Sequence, residues 1–368
     1  MKGVSLKKHV ALMRNLSQQR TMVKEHKLTR LYWECTSRCN LNCLHCGLYC
    51  RMLPDLSDMP IDDFVHVLEN IAKTENPHDV TVILTGGEPL LRKDVVECGR
   101  QIYSHGFPWG INTNGKLLTQ ELLKSLIAAG MHHVMIRFDG PEYEHNWLCG
   151  DKQCFAYTHE AIRMVCEVKE LICEVSTCVN QRNFDYLNDV YVLLNQLGVK
   201  HWRLYTAYQR GKAATNKELI LDSYQLRQLM DFIMKVRKEG VIDTYYGCEG
   251  FLGKYERQVR DDFYMCHAGV STGSVLINGD ITGCPNVSHK YAQGSIYEGD
   301  EFMDVWNTCF DAFRKRKWMH TGICTHCKAF RYCQGNGMHL RGDDGDLLMC
   351  NYDRLNLKKA LFTSPFSL

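Results

Sequence analysis

The chain has 368 residues and carries 44 Lys and Arg against 42 Asp and Glu, a net charge of +2. That near balance argues against nucleic acid or another polyanion as partner, and no apolar run approaches the ~20 residues of a membrane span. The length allows two domains and a sizeable core. The first thirty residues hold many Lys and Arg but no continuous apolar stretch of the signal-peptide kind, so a cytoplasmic location is expected. In a reducing compartment, 19 cysteines point to metal ligation rather than to disulfides.

Residues 1–28 form a loose helical pattern through Val10, Leu12, Met13 and Leu16, read as a basic N-terminal helix. From about residue 30 strands and helices alternate. Strands are expected at 31–33, 80–84, 109–113, 133–136, 173–177 and 201–204. The first helix has Ser57 or Asp58 as its cap and Ile61, Phe64, Val65, Leu68 and Ile71 on one apolar face. Further helical patterns cover roughly 94–105, 119–129, 155–169, 184–197 and 222–239. Such alternation predicts βαβ units on a parallel sheet, an α/β fold closing into a partial (β/α)6 TIM-like barrel over 29–240, with its site outside the carboxyl ends of the strands. After Gly240 the rhythm stops, and residues 241–368, rich in Gly and Cys, read as a second domain. Cys98, Cys166, Cys173 and Cys178 fall in apolar patterns and are expected to be small buried hydrophobes.

The chemistry concentrates after the first strand, in Cys39-Asn40-Leu41-Asn42-Cys43-Leu44-His45-Cys46. Three thiolates on one loop can hold a four-iron cluster and leave one iron open, since a cubane ordinarily takes four cysteines. Zinc is the alternative, with Cys35, Cys50 or His45 as fourth ligand. Gly86-Gly87-Glu88-Pro89 follows the second strand; its glycines allow a close backbone approach, and its carboxylate can accept hydrogen bonds from a ligand ammonium. Asn112-Thr113-Asn114-Gly115 closes the third strand and offers amides and a hydroxyl, although Asn-Gly also makes turns unaided. Arg137-Phe138-Asp139-Gly140 ends the fourth, where Arg137 can bind a carboxylate or serve as a structural ion-pair partner. In the C-terminal part, Cys324-Thr325-His326-Cys327, Cys333 and Cys350 make a four-ligand set for an iron–sulfur cluster or for zinc, and Cys266 and Cys284 precede them.

The run from Trp33 to Cys46, with Thr36-Ser37-Arg38-Cys39-Asn40-Leu41, resembles the signature of the radical S-adenosylmethionine (SAM) superfamily. The resemblance implies a [4Fe–4S] cluster on Cys39, Cys43 and Cys46 whose open iron chelates SAM. It also implies a reductive cleavage giving a 5′-deoxyadenosyl radical that abstracts hydrogen from the substrate. Gly86, Gly87 and Glu88 then match the motif that binds the SAM amino group, and Asn112, Asn114 and Arg137 are candidates for its remaining contacts. The family often reads Ser-x-Asp-Gly where this chain has Arg137-Phe138-Asp139-Gly140. His145 matches a family histidine, and Cys149 stands where an Arg usually follows.

The cysteine order from Cys266 to Cys350, with Gly294-Ser295-Ile296 and Val305-Trp306 between, resembles the SPASM domain (or the related twitch domain), which holds one or two auxiliary clusters. Cys324, Cys327, Cys333 and Cys350 are then one ligand set. Cys266 and Cys284 belong to the other, with Cys248 as third ligand, because Gly337 stands where the family places a cysteine. Pro285-Asn286 replaces the Asp that sulfatase-maturing relatives carry after this cysteine, which disfavours that activity. The Gly-Asn-Gly-Met-His-Leu-Arg run after Cys333 is similar to a lipoprotein-associated subgroup. By resemblance the substrate is a peptide or protein side chain, and a flavodoxin- or ferredoxin-type donor of low potential supplies the electron. The alternatives are oxidation or epimerisation of an aminoglycoside- or nucleoside-like small molecule, and a non-catalytic iron–sulfur or zinc scaffold.

Overall fold

The computed structural model describes residues 6–47, 56–247 and 250–356. The chain begins with α1 (Leu6–Glu25). β1 (Arg30–Thr36), α2 (Ile61–Ala72), β2 (Thr81–Gly86), α3 (Val95–Ser104), β3 (Trp109–Thr113), α4 (Gln120–Ala128) and β4 (Met131–Arg137) follow. Next come α5 (Glu142–Cys149), α6 (Cys154–Cys166), β5 (Ile172–Val179), α7 (Leu187–Gln196), β6 (His201–Thr206) and α8 (Ser223–Glu239). Each strand expected from the apolar pattern is present. α5 was not expected: its apolar residues are few, and it ends at Gly150, whose left-handed φ of 71° suits a glycine cap.

The sheet continues past residue 240. β7 (Asp243–Tyr246) pairs parallel with β6, and at the other edge β8 (Thr272–Val275) pairs parallel with β1. β9 (Asp280–Thr282) and β10 (Gly294–Ser295) follow β8 as an antiparallel meander. The full order is β10-β9-β8-β1-β2-β3-β4-β5-β6-β7. β7 carries Asp, Thr and two Tyr, so no apolar run announces it; pairing with β6 creates it.

Strand alternation sorts the two faces. Trp33 stacks on Phe64 of α2 with ring centroids 4.3 Å apart, and Leu84, Ile111, Ile136, Val175 and Leu204 join the same buried core against the helices. The intervening Tyr32, Glu34, Asn112, Arg137, Glu174 and Arg203 face the lumen. Deep in it Arg203 Nε lies 2.6 Å from Glu174 and 3.0 Å from the Tyr245 hydroxyl, with His133 Nε2 3.8 Å from Glu174. Glu174, His133 and Arg203 sit toward the amino-terminal ends of their strands, whereas the cysteine loop and the Gly86-Gly87-Glu88 turn follow the carboxyl ends of β1 and β2.

Two local expectations are corrected. Neither Ser57 nor Asp58 caps α2: the cap position is Pro60, and the Asp58 carboxylate instead accepts from Thr36 Oγ1 at 2.6 Å and pairs with Arg38. On α1 the apolar side is Leu12 and Leu16, while Val10 and Met13 are exposed. Leu12 and Leu16 pack on Phe251, Phe263, Tyr264 and Tyr332, and Gln19 Nε2 donates to Tyr264 O at 2.9 Å. The N-terminal helix thus docks on the Cys-rich C-terminal part. α9 (Phe302–Thr308), α10 (Asp311–Arg314), α11 (Phe330–Cys333) and α12 (Asn351–Asn356) complete that part.

Candidate active site and cluster-binding cysteines

The cysteine loop leaves β1 at its carboxyl end and is held there by helix α5. Leu44 N donates to Leu148 O at 2.9 Å and Asn42 N to Cys149 O at 3.2 Å, so carbonyls left free at the helix end anchor the loop. Cys39, Cys43 and Cys46 gather in one cluster with Leu41, Cys149 and Cys154. One zinc alternative fails on geometry: Cys35 points across the sheet, with Sγ 3.4 Å from Thr85 O. His45 turns its Nε2 to Arg137 at 3.0 Å and keeps a buried Nδ1 without a hydrogen bond among the described residues. Cys50 lies outside the described residues. Three thiols on one loop, with no fourth from Cys35, fit a cluster with one open iron.

Arg137, at the end of β4, is committed to this loop. Its Nη2 donates to Cys43 Sγ at 3.2 Å and to Cys149 Sγ at 3.0 Å, its Nη1 faces His45, and its Nε lies 2.8 Å from the fully buried Asp139. Burial works against this cation, but Cys43, Cys149 and Asp139 outweigh it and raise its pKa further. Burial and the same guanidinium hold His45 neutral. Asp139 Oδ1 accepts from Cys178 N at 2.8 Å, tying β4 to β5. Its own N–H donates to His145 Nδ1 at 3.0 Å, which leaves the imidazole proton on Nε2, 3.5 Å from Cys149 Sγ. Cys149, Cys154 and His145 have ligand atoms within 4.8 Å of one another, all buried. Arg137 already supplies the positive charge these thiols face.

The Gly-Gly-Glu turn is built against the same loop. Gly86 has φ 119°, and a Cβ on Gly87 would run into the carbonyl oxygen of Arg38. Only glycines let this turn close on the backbone of the cysteine loop, where Gly87 N donates to Thr36 O and Glu88 N to Arg38 O at 2.8 and 2.7 Å. The Glu88 carboxylate is buried and satisfied from within: Thr113 Oγ1 donates at 2.6 Å, Asn114 N at 2.8 Å and Leu90 N at 3.1 Å. Burial raises its pKa while these donors oppose the rise. Asn114 Nδ2 donates to Asn40 Oδ1 at 2.8 Å, joining β3 to the cysteine loop. Asn112 is half-buried on the lumen side of β3. Glu34, deeper in the lumen, was not singled out by the sequence; burial pushes its carboxyl up to about 8.

In the C-terminal part Cys324, Cys327, Cys333 and Cys350 come together. Burial and the nearby Cys350 and Cys324 push the Cys333 thiol up to about 12. Burial pushes Cys350 to about 11, with Cys324 and Cys327 adding to the rise. Arg341 Nη2 reaches Cys324 Sγ at 3.6 Å. Cys266 differs: burial pushes its thiol up, but Arg316 and the N–H groups of Met338 and Ala268 outweigh that and lower its pKa. Cys284 follows β9 and is half-buried. Cys248 lies outside the described residues.

Residues 33–193 match the Radical SAM superfamily. With a parallel sheet carrying a three-thiol loop at its carboxyl edge, the chain belongs to that superfamily. Residues 266–328 match SPASM, an iron-sulfur cluster-binding domain, which makes this a radical SAM enzyme with a C-terminal SPASM domain. Its cofactors are accordingly a [4Fe–4S] cluster, SAM and auxiliary iron–sulfur clusters. The AdoMet-dependent heme synthase of Methanosarcina barkeri is 26% identical over 333 residues, covering 84% of this chain and 92% of that protein. Mycofactocin maturase MftC of Mycolicibacterium smegmatis is 27% identical over 315 residues, covering 84% and 77%. The structure of anSMEcpe with bound AdoMet and Kp18Cys peptide shares the fold, with a TM-score of 0.68 at 20% identity over 89% of this chain and 94% of the other. Among the described residues no helix is long and apolar enough to cross a membrane.

Proposed function

We propose that this radical SAM enzyme modifies a peptide or protein side chain, with residues 29–240 as its radical-generating barrel and 241–368 as its auxiliary-cluster part. In this reading Cys39, Cys43 and Cys46 hold the barrel cluster, which supplies the electron for reductive cleavage of SAM. The backbone of Gly86 and Gly87 lines the SAM amino-group site, and Glu88 orders it through Thr113 and Asn114. Asn112 faces the lumen from β3 beside that site. Arg137 is better read as a partner of the cluster thiolates than of a SAM carboxylate, because its guanidinium is already occupied by Cys43, Cys149, His45 and Asp139. The general base is unassigned.

The observation that carries the substrate class is the polar lumen. Glu34, Asn112 and the Glu174–Arg203 pair alternate with core residues around the barrel, which suits one polar side chain reaching in better than a broad flat macrocycle. MftC, named as a maturase, and anSMEcpe, solved with a peptide, support the same reading. A tetrapyrrole substrate is the second reading, favoured by the heme synthase relative, 92% of whose length is covered. A reducing cytoplasm suits so many thiols, 17 of them among the described residues. A flavodoxin- or ferredoxin-type donor fits the electron demand.

The test is to reconstitute the protein anaerobically, reduce it, and supply SAM with either a precursor peptide encoded beside its gene or an iron porphyrin carboxylate. Formation of 5′-deoxyadenosine with a mass change in the peptide supports the proposal. Turnover of the porphyrin with an unchanged peptide supports the second reading. The triple Cys39→Ala, Cys43→Ala, Cys46→Ala variant should make no 5′-deoxyadenosine.

A further inference from the structure

Gly337 leaves a gap in the thiol pattern, and a neighbouring imidazole fills the space. A Cβ built on Gly337 would lie 2.6 Å from Cε1 and 2.8 Å from Nδ1 of His339. The ring therefore occupies the volume that a side chain at 337 would take. The backbone is wound to bring it there: Gln334 and Asn336 hold left-handed φ values of 51° and 78°, a conformation non-glycine residues seldom adopt. Arg341, fully buried, holds the turn by donating to Gly335 O at 2.7 Å and to Met319 O at 3.2 Å. Strain kept in place by this much surrounding structure is characteristic of functional segments.

The same run meets Cys266, the first cysteine of the second set. Met338 N–H faces the Cys266 thiol, and Arg316 bridges Asn336 O at 3.1 Å to Cys266 O at 3.4 Å. A Cβ on Gly283 would lie 2.6 Å from Gly269 N, so this glycine packs directly on the Ala268–Gly269 backbone. Cys284 and Cys266 thereby sit on adjoining stretches of chain.

His339 itself is 7% exposed. Among the described residues its ring meets Tyr208 edge-on, with centroids 5.3 Å apart, and feels the charges of Arg210 and Arg316, with no hydrogen bond among these contacts. Imidazole can replace thiolate on iron–sulfur clusters, as Rieske centres show.

We propose that His339 is a cluster ligand, supplying from its imidazole the coordination that a side chain at 337 would otherwise give to the cluster on Cys266 and Cys284. This rests on the reading of those two cysteines as ligands. A neutral imidazole in place of a thiolate removes one negative charge from the cluster and shifts its potential upward. The position also faces the barrel: the Tyr208 hydroxyl lies 3.4 Å from where a Cβ on Gly47, next to Cys46, would stand.

The test uses the full chain with Cys39, Cys43 and Cys46 replaced by Ala, reconstituted anaerobically and reduced, so that only auxiliary iron is read. Pulsed EPR should show a directly coordinated imidazole nitrogen that shifts when histidine is labelled with ¹⁵N. His339→Ala should abolish this coupling. His339→Cys should abolish it too while keeping the iron of the parent, which controls for folding. In parallel, Cys266→Ala/Cys284→Ala should lower the iron by about four. If it does, but the coupling is absent from the parent or survives in His339→Ala, the assignment of His339 falls alone. If the iron is unchanged in Cys266→Ala/Cys284→Ala, no cluster sits there and both readings fall.

Discussion

Arg137 Nη2 donates to Sγ of Cys43 across 3.2 Å, so a half-buried guanidinium touches one of the three thiols proposed to hold the barrel cluster. A cation and an N–H donor beside a cluster thiolate favour the reduced state, whose negative charge is larger. Arg137→Gln should therefore lower the midpoint potential of the barrel cluster. The shift should be on the order of 50 mV, because a charge-assisted hydrogen bond contributes roughly 1.5–3 kcal/mol and only the part that grows on reduction counts. Redox titration followed by EPR measures it. An unchanged potential with weakened SAM binding would return Arg137 to a SAM carboxylate.

Glu88 should matter for stability as well as for SAM. Three donors converge on its carboxylate, two of them backbone N–H groups. In Glu88→Ala these donors lose their acceptor, at a cost of roughly 1–3 kcal/mol for a buried unsatisfied group. The Asn114–Asn40 link to the cysteine loop should loosen with it. The variant should keep its iron, bind SAM about ten- to a hundredfold more weakly, and unfold at lower denaturant concentration. Normal stability with weak SAM binding would mean that Glu88 acts on the ligand alone.

Glu34 gives a pH test. Burial raises its carboxyl from an ordinary 4.5 to about 8, so the folded protein holds a proton that the unfolded chain releases. For a group raised on folding, this contribution is fully present below the unfolded pKa and is lost as pH rises to about 8. Its share of the slope is at most about 1.4 kcal/mol per pH unit, the value for one proton. Glu34→Gln should flatten the decline of stability between roughly pH 5 and 8. Denaturant titrations of both proteins across that range would reveal it, and identical slopes would mean that the carboxyl is ionised in the folded state.

Cys333→Ala should remove one auxiliary cluster, about four irons, because Cys324, Cys327, Cys333 and Cys350 come together as one set. Iron that stays put in this variant would favour the smaller arrangement pairing Cys266 and Cys284 with Cys324 and Cys327.

The barrel was legible in the sequence because its strands are buried on the helix side and its helices are amphipathic. Those periodicities are local and survive without any knowledge of the partner. β7 was not legible: Asp243, Thr244, Tyr245 and Tyr246 become a strand by pairing with β6. The three cysteines and Gly86-Gly87-Glu88 were legible as chemistry because thiol spacing and paired glycines are properties of short stretches. What each side chain touches was not. Asp58 answers Arg38 rather than capping a helix, and Arg137 turns to Cys43 and Cys149, because ion pairing in a buried site depends on which charges the fold places nearby. The sequence alone determined the radical SAM and SPASM architecture and pointed to its candidate cluster thiols. Tertiary structure decided that Arg137 faces Cys43, that α1 docks on the Cys-rich part, and that His339 fills the space beside Gly337. Each of those contacts joins residues through backbone winding or long-range packing, which no spacing of letters encodes.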